Sequence, residues 1–173
     1  MHNHVRLAFS TAKATLIVLG GVGLGQTPLA TALGSAAGLQ GHAVLFARAM
    51  AVRNTRAAAQ SAGRLKAERK QYTTPALLLL DELGDLPRDK TGAALLCQVI
   101  SLRYAQGASI IPSNRALQEW PTRFNHDSPL TSAVLDRLLH HAETVIIEGK
   151  SFRMQDHIER YTALSQGVPA ANR

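Results

Sequence analysis

Cysteine, aromatic residues, acidic residues and long apolar runs are all scarce in this chain of 173 residues. The single cysteine, Cys97, excludes an intramolecular disulfide and a cysteine-based zinc site, so the chain reads as a reduced, cytosolic protein. Aromatics are only 5% of the residues and do not interleave with the basic ones, which argues against base stacking as a mode of nucleic-acid binding. Asp plus Glu number 12 against 19 Lys plus Arg, a net charge of +7 that favours an anionic partner, nucleic acid first. No apolar run approaches the length of a membrane span. Arg6, Lys13, the apolar run 14–25 and Ala30-Thr31-Ala32 do outline a signal peptide. The loop-like spacing of glycine in that run, and the α/β pattern that continues after it, instead favour a buried strand followed by a phosphate loop.

What the chain does have is a globular composition, 46% apolar and 18% charged. Its length suits one domain, expected over 1–160, with a flexible tail at 161–173. Five short runs at 15–19, 43–47, 76–80, 108–111 and 144–148 are mostly apolar on both faces, as strands are when helices cover both sides of a parallel sheet. Helical segments fall between them at 27–39, 48–70, 91–106 and 132–141, the first stopping near Gly41. This alternation predicts right-handed βαβ crossovers and a three-layer α/β domain.

Chemistry is concentrated where the predicted strands end. Gly20-Gly21-Val22-Gly23-Leu24-Gly25-Gln26-Thr27 follows a strand and opens a helix, the context in which backbone N–H groups and a helix N-terminus hold phosphate. Gly20, Gly25 and Thr27 keep the G-x-x-x-x-G-K-[ST] spacing, with Gln26 at the Lys position. Four leucines then run into Asp81-Glu82, a pattern in which the first carboxylate holds Mg²⁺ and the second polarises water. Asn114 ends the next strand, where its amide could meet a γ-phosphate or position water, or simply turn the chain. Arg137 is either half of a surface pair with Asp136 or an arginine finger toward a neighbouring subunit. Arg48, Arg53 and Arg56 lead a basic stretch that continues through Arg64, Lys66, Arg69 and Lys70 and is opposed only by Glu68. Such a stretch is either a solvated helix face or a contact surface for DNA phosphates.

Taken together, these residues resemble the IstB-like family, ATP-binding helper proteins of bacterial insertion-sequence transposition related to DnaC-type helicase loaders and the AAA+ superfamily. The most specific stretches are Leu78-Leu79-Leu80-Asp81-Glu82-Leu83-Gly84-Asp85-Leu86-Pro87, Gln98-Val99-Ile100-Ser101-Leu102-Arg103-Tyr104 and Leu135-Asp136-Arg137-Leu138-Leu139-His140-His141-Ala142. Glu148-Gly149-Lys150-Ser151-Phe152-Arg153 adds a fourth. The resemblance implies a P-loop NTPase of the AAA+ type with a five-stranded parallel sheet. It implies a bacterial cytoplasmic protein that takes ATP and Mg²⁺, forms a homo-oligomer on DNA and recruits or regulates a transposase. By position it puts Gly20, Gly23, Gly25, Gln26 and Thr27 on the Walker A loop, and Asp81 and Glu82 on Walker B, with Thr27 and Asp81 toward the metal. Asn114 falls on sensor 1, Arg137 on the arginine finger and Arg153 on a sensor-2-like arginine.

The chain departs from that pattern at three positions beside the same pocket. Gln26 replaces a cationic Lys with a neutral amide. Pro28 removes a backbone N–H from the first helical turn. Pro112, where the family usually has Thr, is expected to disturb the end of its strand. The family's N-terminal helical segment for partner contact is also expected to be missing, because the chain begins about 15 residues before the loop. Two activities remain open on the sequence: a weak AAA+ ATPase, or a catalytically inactive AAA+-like module that binds DNA or oligomerises. A remnant of a mobile-element gene is a third possibility.

Overall fold

The computed structural model describes residues 13–83, 98–104, 106–120, 129–149 and 151–152, and of residues 129–131, 134 and 137 the backbone only. Five strands carry the fold: β1 (Thr15–Gly20), β2 (Val44–Arg48), β3 (Leu77–Asp81), β4 (Ala108–Ser113) and β5 (Ala142–Ile147). They form one sheet in the order β2-β3-β4-β1-β5, and each neighbouring pair is parallel. The expected five-stranded parallel sheet is therefore present, with β5 starting two residues before its expected position at 144.

The alternating pattern along the strands sorts side chains onto two faces. Leu16 and Val18 of β1, Leu77 and Leu79 of β3, and Ala108 and Ile110 of β4 pack against Ala30, Leu33 and Ala37 of helix α1 (Gln26–Leu39). Ile17, Leu78, Leu80 and Ile111 point the other way. There they meet Ala49 and Val52 of α2 (Ala49–Ser61), Tyr72 of α3 (Leu65–Thr73), Val99 of the helical stretch 98–103, and Leu135 and Leu138 of α4 (Pro129–His141). Helices on both faces make the three layers that the apolar runs predicted. Close packing is enforced at Gly34, where a Cβ would stand 2.7 Å from Leu79 Cδ1. No helix among the described residues is long and apolar enough to cross a membrane.

The basic stretch forms two helices rather than one. Gly63 takes a φ of 66°, a conformation open to glycine at little cost. The Arg64 N–H donates to Ala59 O at 2.8 Å and the Gly63 N–H to Gln60 O at 3.2 Å, so the end of α2 is closed by a Schellman motif. The chain then reverses into α3. The helix expected over 91–106 is described only from 98, apart from residue 105.

Pro112 lies inside β4 and pairs with Val18 of β1. The N–H groups of Ala108 and Ser109 donate to opposite neighbours, Ala76 O on the β3 side and Ala14 O on the β1 side. By that alternation the nitrogen of residue 112 faces β3. The β3–β4 register accordingly ends at Leu79↔Ile110, while the β1–β4 register continues to Ser113. The expected disturbance is thus confined to one side of the strand.

Arg103 anchors the opposite edge of the sheet. Its buried guanidinium donates to the carbonyls of Tyr72 (3.0 Å), Pro75 (2.7 Å), Ala76 (3.2 Å) and Ala108, and its Nε to Ser109 Oγ. These bonds tie together the starts of β3 and β4. Burial lowers the pKa of Arg103 from its ordinary value.

Candidate functional site

Because all five strands run in parallel, the glycine loop after β1, the carboxylates at the end of β3 and Asn114 after β4 all emerge at the same carboxyl edge. That edge is where open α/β sheets place their ligands.

The loop is shaped by glycines used for specific reasons. Gly23 and Gly25 have φ values of 81° and 89°, and Gly25 is the N-cap of α1. Gly20 is a close approach, since a Cβ there would stand 2.9 Å from both Gln26 Nε2 and Ile147 O. The first helical bond runs from the Leu29 N–H to Gly25 O at 3.0 Å. The N–H groups of Gln26 and Thr27 therefore stand ahead of the helical ladder, and Pro28 contributes none. Among the described residues no side chain caps this end, and its first turn holds no acidic residue. A positive helix end is left available to an anion.

Gln26 is buried, with 7% of its surface exposed. Its Nε2 donates to Gly20 O and, at 3.1 Å, to Gly21 O. The side chain thus folds back onto the loop that precedes it.

Thr27, the second residue of α1, reaches across to β3. Its Oγ1 donates to Asp81 Oδ1 at 3.2 Å, and the Glu82 N–H donates to the same oxygen at 2.8 Å. The Asp81 carboxylate is buried and fixed by both contacts. A hydroxyl oxygen and a carboxylate oxygen side by side below a helix N-terminus form the hard oxygen donor set that Mg²⁺ prefers. The residues present therefore fit a magnesium–phosphate group, through the backbone N–H groups on one side and this oxygen pair on the other.

Glu82 has a φ of 58°, uncommon for a residue with a side chain. Its carboxylate lies 3.6 Å from Arg48 Nε, both side chains being well exposed. Strand pairing explains the meeting, since Arg48 is the last residue of β2 and stands opposite Asp81. Asn114 directly follows β4 and is exposed.

The remaining expected residues divide unevenly. Arg137 lies on α4, its side chain outside what is described, and Arg153 lies outside the described residues. The Phe152 N–H donates to Gly23 O at 3.1 Å, which brings the chain just before Arg153 to the loop. Arg56 requires a correction. Only 2% of it is exposed, so it does not share the solvent-facing basic surface with Arg48. Its guanidinium bonds Glu68 Oε2 and Gln98 Oε1, both at 2.8 Å, joining α2, α3 and the stretch 98–103. A buried cation needs a partner, and the lone acid of the basic stretch supplies it. Burial raises the pKa of Glu68, and the Arg56 charge pulls part of that shift back. Sequence reasoning missed this pair and the Arg48–Glu82 contact. The signals were Gly63 midway between Arg56 and Glu68, and the strand register that sets Arg48 beside Asp81.

The sequence matches the family described as IstB-like ATP binding protein over residues 2–160. A protein named as the ATP-binding protein of insertion sequence IS232 of Bacillus thuringiensis subsp. berliner is 35% identical over 156 residues. That alignment covers 90% of this chain and 62% of the relative. The counterpart of insertion sequence IS21 of Pseudomonas aeruginosa is 37% identical over 150 residues, covering 87% and 56% respectively. The chain thus spans little more than half the length of these relatives. Among solved structures, AMPPCP-bound DnaA from Aquifex aeolicus superposes with a TM-score of 0.69 at 21% identity, covering 91% of this chain and 48% of that one. The DnaC helicase loader gives 0.65 at 23% identity, covering 83% and 86%. These two likenesses establish the fold, that of the AAA+ P-loop NTPases.

Proposed function

The chain belongs to the family of IstB-like ATP-binding proteins, and on that premise we propose that it binds magnesium–ATP and assists DNA transposition in the bacterial cytoplasm. The observation that carries this reading is the Thr27–Asp81 oxygen pair beneath the uncapped N-terminus of α1. The N–H groups of Gln26 and Thr27 would hold phosphate oxygens, and Thr27 Oγ1 and Asp81 would hold the metal. Bound Mg²⁺ would supply charge neutralisation along the phosphates. Glu82 would then accept a proton from an attacking water, but only after its carboxylate leaves Arg48. Asn114 at the end of β4 would orient that water. Arg137 would act on the nucleotide of a neighbouring subunit in a homo-oligomer, and Arg153 on the nucleotide of its own.

DNA and a transposase are the proposed macromolecular partners. The net charge of +7 and the exposed Arg48, with Arg53 one turn further along, support DNA. The relatives' place in insertion sequences supports the transposase. A second reading, a catalytically inactive AAA+-like module, is favoured by one observation: the amide of Gln26 is bonded to the loop itself.

Titration calorimetry with Mg²⁺ and ATP tests both readings on this chain and on a Gln26→Lys, Pro28→His double variant. Binding by the natural chain supports the first. Binding by the variant alone makes the protein an inactive module, and binding by neither, both being folded, removes the pocket.

A further inference from the structure

The Gln26 side chain has two N–H donors, and the structure gives each an acceptor within the loop: Gly20 O and Gly21 O. What remains is Oε1, an acceptor, which an ionised phosphate cannot bond. An ammonium group at this position would have three donors and a full charge. It could hold the same two carbonyls and still offer a donor and its charge to a phosphate. Gln26 offers neither.

The packing around this contact closes it further. The side chain is buried, and position 20 has no room for a Cβ because Ile147 O and Gln26 Nε2 each stand 2.9 Å from where it would be. The loop is therefore tied at its start by Gln26 and shaped at its end by Gly23 and Gly25. Phosphate recognition is left to backbone groups. Among the described residues, no hydrogen bond is seen from the N–H groups of Val22, Gly23, Gly25, Gln26 or Thr27, while the Leu24 N–H is spent on Gly21 O and Pro28 has none. Those of Gly25, Gln26 and Thr27 are consecutive at the start of the helix and suit one phosphate group.

We infer that Gln26 is a latch that sets the phosphate loop in advance and makes the site indifferent to the γ-phosphate. On the nucleotide reading above, on which this rests, the chain takes nucleoside diphosphates and triphosphates alike. The shared groups, the phosphate at the three N–H donors and the metal at Thr27 and Asp81, carry the affinity. The extra negative charge of a triphosphate gains nothing from residue 26.

Calorimetric titration of the full chain with Mg²⁺–ADP and Mg²⁺–ATP, beside Gln26→Lys, reads this directly. The natural chain is expected to bind the two within about threefold of each other, and Gln26→Lys to prefer ATP by about tenfold or more, as a charge-assisted hydrogen bond allows. Hydrogen exchange supplies a readout independent of affinity. Gln26→Ala is expected to speed exchange of the amides at 20–27 in the nucleotide-free protein. A natural chain that prefers ATP by about tenfold or more overturns the inference and leaves the nucleotide reading standing. A natural chain that binds neither while Gln26→Lys binds both overturns the inference together with the nucleotide reading, and leaves an inactive module around an intact pocket. Unchanged loop exchange in Gln26→Ala overturns the latch. If neither chain binds either nucleotide although both are folded, the nucleotide reading falls and the inference with it.

Discussion

Thr27 Oγ1 donates to Asp81 Oδ1 at 3.2 Å, joining the first turn of α1 to the end of β3 across 54 residues of sequence. That bond turns a glycine loop and a pair of acids into one site. Asp81→Asn keeps the shape and the Thr27 contact but removes the charge. Its expected effect is a loss of about tenfold or more in nucleotide affinity with Mg²⁺ and little change in EDTA, since the proposed metal ligand is lost and the backbone donors are not. Titrating both proteins with and without Mg²⁺ checks it, and equal losses in the two conditions would move Asp81 from a metal role to a structural one.

The Arg48–Glu82 pair is exposed at both ends, and such pairs contribute between about 0 and 1 kcal/mol. Arg48→Ala is therefore expected to leave the urea midpoint nearly unchanged. If Arg48 meets DNA phosphate, its loss lowers the slope of log affinity against log salt by about 0.9. Binding measured across a salt series checks this, and an unchanged slope would take Arg48 out of the DNA surface.

The sheet was legible because each strand is a short apolar run, and apolar periodicity is a property of neighbours in sequence. The site was legible for the same reason, since Gly20 to Thr27 and Asp81-Glu82 are contiguous motifs whose parallel strands deliver them to one edge. Arg56 was not. A basic residue in a basic stretch reads as solvated, and only the turn at Gly63 brings Glu68 back beside it. Arg103 was hidden similarly, because its partners are backbone carbonyls, which no side-chain pattern announces. Pro112 was read correctly as a sheet disturbance, but which neighbour loses the bond depends on the phase of the ladder.

Arg103 is expected to be among the costliest truncations away from the site. Arg103→Met keeps much of the volume but strips donors from four buried or part-buried carbonyls, for a loss of about 3 kcal/mol or more. Arg103→Lys recovers only part of it, because an ammonium has three donors where the guanidinium serves both strand starts at once. Urea unfolding of the two variants checks the order. Lysine matching the natural chain would mean that charge, rather than the planar fork, matters there.

The Arg56–Glu68 pair makes stability depend on pH in a direction that can be worked out. Burial raises the folded-state pKa of Glu68 above its ordinary 4.5, and Arg56 opposes that rise. The folded chain thus holds the Glu68 proton more tightly than the unfolded chain does. This contribution is complete below about pH 4.5 and is lost as pH rises through the raised folded value. Glu68→Gln cannot titrate and is expected to lack that fall. Arg56→Ala leaves the carboxylate buried without its cation, at a cost of about 3–5 kcal/mol at neutral pH. The cost shrinks as pH falls, because Glu68 then takes up a proton and the stranded charge disappears. Exchanging both residues for apolar ones of similar volume, Arg56→Met with Glu68→Leu, removes two buried charges together and is expected to be near neutral. Urea unfolding from pH 4 to 7 separates these cases. A cost for Arg56→Ala that stays constant over that range would show that the arginine acts through packing and its Gln98 bond rather than through the charge of Glu68.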